Sequence, residues 1–191
     1  MSLYINGDQL VTLDKLYSIL GITNLLTDEE MNISNAVFSP AAKLAISDIN
    51  YANGINTFHY KGVADYERIN WLFKVNPNTK YKVVIDAKSS TQLPFLDPNN
   101  PYIPWNINSN QDINTAMTGD IATWHMPLPW QGIKHGEITF DSKNYTEVFL
   151  TTNFGQAMDA IDADITLRLK MYRADSLQDQ INQISSNSSA K

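Results

Sequence analysis

The stretch DITLRLKMY, residues 164–172, decides the fold. Ile165, Leu167, Leu169 and Met171 alternate with Asp164, Thr166, Arg168 and Lys170, so an extended chain here is apolar on one face and polar on the other. That is the signature of a half-buried strand. The same period of two recurs outward from it. In ERINWLFKV (67–75) it sets Ile69, Trp71, Phe73 and Val75 on one face, and in KYKVVIDAK (80–88) it does so for Tyr81, Val83, Ile85 and Ala87. IATWHM (121–126), EITF (137–140) and TEVFLTT (146–152) continue the series. Asn76, Pro77 and Asn78 supply turn chemistry between the first two strands and predict a hairpin there. No helical segments of the kind that join parallel strands lie between them. The expectation is an all-β chain, an antiparallel β-sandwich of the jelly-roll kind with short terminal helices.

The flanks read differently. Leu10, Leu13, Leu16, Tyr17 and Leu20 recur at helical spacing and Gly21 follows as a stop, which predicts a helix over 9–20. Residues 91–119 hold four prolines and six asparagines without periodicity and predict a long loop. After Arg173 the spacing of Leu177, Ile181 and Ile184 is that of a coiled-coil seam, and SSNSSAK is a polar end. The expected organisation is a helical extension over 1–23, the sandwich over 24–173, and a coil start with a disordered tail over 174–191.

The chain has 191 residues, 20 acidic and 14 basic side chains, and a net charge of -6. A phosphate backbone or an anionic membrane surface is repelled by such a protein, so neither nucleic acid nor membrane is expected as a partner. With no cysteine there is no disulfide framework and no thiolate metal site. The first residues lack the basic start and apolar run of a secretory leader, and no apolar run reaches the ~18 residues of a membrane span.

Chemistry-bearing motifs are few. Neither GxSxG nor GxxxxGK occurs. Asp159, Asp162 and Asp164 gather ahead of the last strand, where carboxylates suit a structural calcium ion, a solvated acidic turn, or the acid–base pair of a hydrolase. No other cofactor is expected. His125 and His135 are the one local pair to weigh for zinc, which needs three or four converging ligands. The remaining constellation is aromatic: Tyr102, Trp105, Trp124 and Trp130, interleaved with amides such as Asn106 and Gln131. Flat rings stack on sugar faces while planar amides orient hydroxyls, so the mixture suits carbohydrate. Trp71 shares a face with Ile69 and Phe73, and Trp124 with Ala122 and Met126, so both are expected in the core. Trp105 and Trp130 each follow a proline, which leaves exposure and loop packing both open. If a ring here meets a ligand, these two come first, with Tyr102, Asn106 and Gln131 beside them.

NLLTDEEMNISNAVF (24–38), FKVNPNTKYKVVIDAKSS (73–90), GEITFDSKNYTEVFLTTN (136–153) and DADITLRLKMYRAD (162–175) resemble the jelly-roll carbohydrate-binding modules appended to glycoside hydrolases. The resemblance spans roughly Asn24 to Tyr172. It implies a non-catalytic sugar-binding sandwich and transfers no individual site residue. The closing strand departs from the pattern by running into SLQDQINQI. A jelly roll followed by a coil start looks like a structural protein of a bacteriophage tail or baseplate. That resemblance implies a virion location, other virion proteins as partners, a homo-oligomer, and host-surface polysaccharide as ligand. The rival expectation is a purely structural or adaptor virion protein.

Overall fold

The computed structural model describes residues 3–5, 9–11, 24–62, 67–93, 102–109, 120–154 and 162–174; for 3–5, 9–11 and Gln131 only the backbone is described. Twelve strands are present: β1 (Leu3–Ile5), β2 (Gln9–Val11), β3 (Val37–Phe38), β4 (Ile46–Ala52), β5 (Ile55–Lys61), β6 (Arg68–Lys74), β7 (Lys80–Leu93), β8 (Tyr102–Asn108), β9 (Ala122–Pro127), β10 (Trp130–Asp141), β11 (Glu147–Asn153) and β12 (Asp162–Arg173). Ten of them form two five-stranded sheets. The first runs β10-β7-β12-β5-β4, the second β3-β6-β11-β8-β9. Every pairing is antiparallel, so the expected antiparallel sandwich is the fold observed.

The core is the sum of the inward faces of these strands. From the first sheet come Phe58, Tyr60, Val83, Ile85, Ile138, Ile165, Leu167 and Leu169, and from the second Ile69, Trp71, Phe73, Ile103, Trp105, Val148 and Leu150. Trp71 and Trp105 stack at 6.1 Å between ring centroids. Phe154, at the end of β11, meets Trp105 edge-on at 6.2 Å and Phe58 edge-on at 6.1 Å, and lies tilted against Tyr60 at 5.4 Å. One ring thus joins the two sheets. Each buried aromatic withdraws ~150–250 Å² from water, roughly 4–6 kcal/mol at ~25 cal/mol per Å² before ordering costs.

Local sequence explains the small elements. Asn53 and Gly54, both at positive φ, turn β4 directly into β5, the two-residue hairpin that Asn-Gly favours. Thr27 and Glu30 form a reciprocal capping box on the short helix α1 (Asp28–Met31), and Ser39 followed by Pro40 starts α2 (Pro40–Ala45). Glu30 also takes the Lys74 N–H at 2.8 Å, which blocks part of the open edge of β6.

Four expectations are corrected. Strands β6 and β7 are not a hairpin, since β6 pairs with β3 and β11 in one sheet and β7 with β10 and β12 in the other. Asn76–Thr79 is a crossing between sheets, and Ser142 on the neighbouring crossing fastens it: its N–H reaches Thr79 O (3.0 Å), its hydroxyl reaches Asn76 O (2.7 Å) and accepts from Thr79 N (3.0 Å). Turn residues look alike in a hairpin and in a crossing. The loop expected over 91–119 is partly strand: β7 runs on to Leu93, and Tyr102–Asn108 is a strand in spite of Pro104. Pro104 is tolerated because the ladder from β8 to β11 begins only at Trp105. The strand expected as EITF is the last part of a twelve-residue strand, β10. Finally, Gln9–Val11 pairs with Leu3–Ile5 as β-structure where a helix over 9–20 was expected; residues 12–20 lie outside the described residues, as do Leu177, Ile181 and Ile184.

Trp124 points inward as expected. It is half-buried, and a Cβ on Gly136 of the facing sheet would overlap its six-membered ring at Cη2, Cζ2 and Cζ3. Gly136→Ala should therefore lower unfolding stability by about 1–3 kcal/mol, seen as a lower urea midpoint at unchanged slope. In a Trp124→Ala background the same change should cost much less.

Candidate functional site

The alternation that sends Trp71 and Trp105 inward sends a different set outward on the second sheet. In register across β6, β11, β8 and β9, the outer face carries Asn70, Thr151, Asn106 and Thr123 in one row, with Arg68 and Asn153 to one side and Leu72, Phe149 and Asn108 to the other. The side chains bond across strands. Asn108 Nδ2 donates to Thr151 Oγ1 at 3.0 Å, Thr151 Oγ1 donates to Asn70 Oδ1 at 2.8 Å, and Thr123 Oγ1 donates to Asn106 Oδ1 at 2.9 Å. Asn70, Asn106, Asn108 and Thr151 are buried, whereas Thr123 at the β9 margin and Leu72 at the β6 margin are exposed. At the β9 margin the Tyr102 and His125 rings stack 3.8 Å apart and within 10° of parallel. The face is thus a floor of amides and hydroxyls with an aromatic pair at its rim.

The chemistry of this face is that of neutral hydrogen-bonding groups. Amides and hydroxyls offer paired donors and acceptors without net charge, and the stack of half-buried Tyr102 on exposed His125 offers a flat ring face. Nothing in the amide and hydroxyl rows moves a proton at neutral pH.

The structure separates the residues singled out in the sequence. Tyr102 and Asn106 lie on this outer face. Trp105 and Trp130 do not: both are at 0% exposure in the core, and the expectation that they meet a ligand is corrected. Trp105 follows the β8 alternation inward with Ile103 and Ile107, and Trp130 opens β10 opposite Leu93, its indole N–H donating to Gly132 O at 2.9 Å. Gln131 belongs to β10, and its side chain is outside the description. Asn70, Asn108, Thr123 and Thr151 are not singled out by the sequence reading, and His125 only as half of a zinc pair. Their signal was present in the sequence: where alternation turns a position away from the core, Lys or Glu is usual, and here Asn and Thr recur instead.

The carboxylates expected to hold calcium or act in hydrolysis are engaged elsewhere. Asp162 and Asp164 flank His59 on the outer face of the first sheet, with His59 Nε2 at 3.1 Å from Asp162 and Nδ1 at 3.0 Å from Asp164; Lys61 stands 3.7 Å from Asp162. Asp159 lies outside the described residues. His135 pairs with Asp86 at 2.7 Å on that same face, while His125 is on the other sheet, so the zinc pair does not converge. Among the described residues no three His, Asp or Glu side chains form a metal cluster.

No protein-family model and no curated protein matches the chain. Solved structures do. A CBM4 structure superposes with a TM-score of 0.51 at 15% identity, covering 79% of this chain and 94% of its own. The fold is that of CBM4. TmCBM61, solved in complex with β-1,4-galactotriose, aligns at 15% identity over 79% of this chain and 99% of its own, with a TM-score of 0.49. The enzymatically active domain of bacteriophage CBA120 tailspike protein 4 aligns at 11% identity over 78% of this chain and 21% of its own, with a TM-score of 0.43.

The hydrogen bond to Asp164 raises the His59 pKa above 6.5; desolvation, the next largest effect, opposes it, and the charges of Asp162, Asp164 and Asp48 add to the rise. A raised histidine pKa favours the folded state where the ring is protonated. The contribution is complete below the unfolded value and disappears as pH rises through the folded one. An NMR titration should give His59 a midpoint above 6.5, and Asp164→Asn should lower it.

Proposed function

We propose that this chain is a non-catalytic carbohydrate-binding module that takes a neutral polysaccharide on the outer face of its second sheet. One observation carries the reading: the cross-strand network of Asn70, Asn106, Asn108, Thr123 and Thr151, rimmed by the Tyr102–His125 stack. A solvated sheet face needs no such network, and a core would be apolar. The fold shared with CBM4 supports the same reading. A host-surface saccharide is the ligand class, and the virion of a tailed phage is the proposed setting. That setting, and assembly as a homo-oligomer with other virion proteins, rest on the sequence resemblance and on the heptad spacing after Arg173.

Isothermal titration against soluble β-glucan, galactan, xylan and mannan tests the binding half. At least one should bind, and Tyr102→Ala or His125→Ala, on the two more accessible rings of the rim, should weaken it by about 5- to 30-fold, or ~1–2 kcal/mol, with folding intact by circular dichroism. Absence of binding to all four, and to host cell-wall polysaccharide, would leave the adaptor reading. Assembly is tested by light scattering: the full chain should be oligomeric and a truncation ending at Arg173 monomeric.

A further inference from the structure

A cavity of about 200 Å³ lies beside β6, walled by Glu29, Asn35 and Ala36 on one side and by Trp71, Leu72 and Lys74 on the other. Trp71 faces the core while Leu72 and Lys74 face outward, so a space lined by all three opens at the edge of the strand, between the two faces. The sheet stops short there. Strand β3 pairs with Asn70 and Ile69, so among the described residues no strand stands opposite Leu72 on that side. Since Arg68 exchanges bonds with Ser39 and the Lys74 N–H reaches Glu30 along the same edge, alternation turns the Leu72 N–H and C=O toward it as well.

The wall facing β6 is held in place. Glu30 takes the Thr27 N–H and hydroxyl, each at 2.9 Å, Asn35 Nδ2 donates to Glu29 O at 3.0 Å, and Tyr51 donates to Asp28 at 2.6 Å. Burial and that bond push the Tyr51 pKa up to about 12, so the latch persists at neutral pH. The lining mixes apolar surface with polar groups: Leu72 is 39% exposed, and Trp71, 1% exposed, has an indole N–H without a hydrogen-bond partner. The volume is below the ~300 Å³ at which drug-sized pockets begin and equals about seven waters, enough for one sugar ring and not for several.

Leu72 belongs both to this cavity and to the outer-face row that contains Phe149 and Asn108. We propose that the cavity seats the terminal unit of the polysaccharide lying on that face, so that the protein reads a chain end. The inference rests on the outer-face reading. The ring would lie against Leu72, Trp71 and Ala36, with hydroxyls toward Glu29, Lys74, Asn35 and the Leu72 backbone.

The test uses whichever of β-glucan, galactan, xylan or mannan binds, before and after partial acid hydrolysis. If a chain end is read, shortening the chains raises the protein bound per gram in proportion to the ends created. Glu29→Gln and Lys74→Ala, both on exposed side chains, should each weaken binding of the shortened chains by about tenfold. Capacity that ignores the number of ends, with Tyr102→Ala still damaging, overturns the end-reading and leaves the face intact. Binding to none of the four, nor to host cell-wall polysaccharide, overturns both.

Discussion

Phe154 is the contact on which the rest of the molecule depends. It stands edge-on to Trp105 of the second sheet and to Phe58 of the first, and Trp105 in turn stacks on Trp71. Two stacked sheets share no hydrogen-bonded ladder, so their spacing and angle are set by side chains of this size. Strand alternation does the remainder. With Trp71 and Trp105 fixed inward, Asn70 and Asn106 are fixed outward on the same strands, in register with Thr151. The aromatic core and the polar outer face are two sides of one constraint.

That constraint explains why the outward groups of β8 are amides and not indoles. A tryptophan between Ile103 and Ile107 serves the core, whatever proline precedes it. The two outer faces also differ in kind. The first sheet carries charges that neutralise one another, His59 with Asp162 and Asp164, and His135 with Asp86. The second carries, beside Arg68, neutral groups bonded across strands, which suits a largely neutral ligand.

Much of the fold was legible in the residues. The alternation of Ile165, Leu167, Leu169 and Met171 holds along β12, and Trp71 and Trp124 point as their strands require. Sheet membership was not legible, because Asn76–Thr79 has the same composition whether it closes a hairpin or crosses between sheets; the long pairing of β10 with β7 decides it. Strand β8 was hidden by Pro104 and its two asparagines, and with it went half the candidate site. Asn106 and Tyr102 were picked for their chemistry, while their placement came from register, which only the neighbouring strands supply. The Asn53-Gly54 turn was in plain view and passed over.

The central claim, that the outer face of the second sheet binds saccharide, is met most directly by the side-chain amide resonances of Asn70, Asn106 and Asn108. In a titration with a binding polysaccharide fragment these should shift together, while the His59 ring signals on the first sheet stay put. Shifts gathered around His59, with the three amides unmoved, would contradict the account.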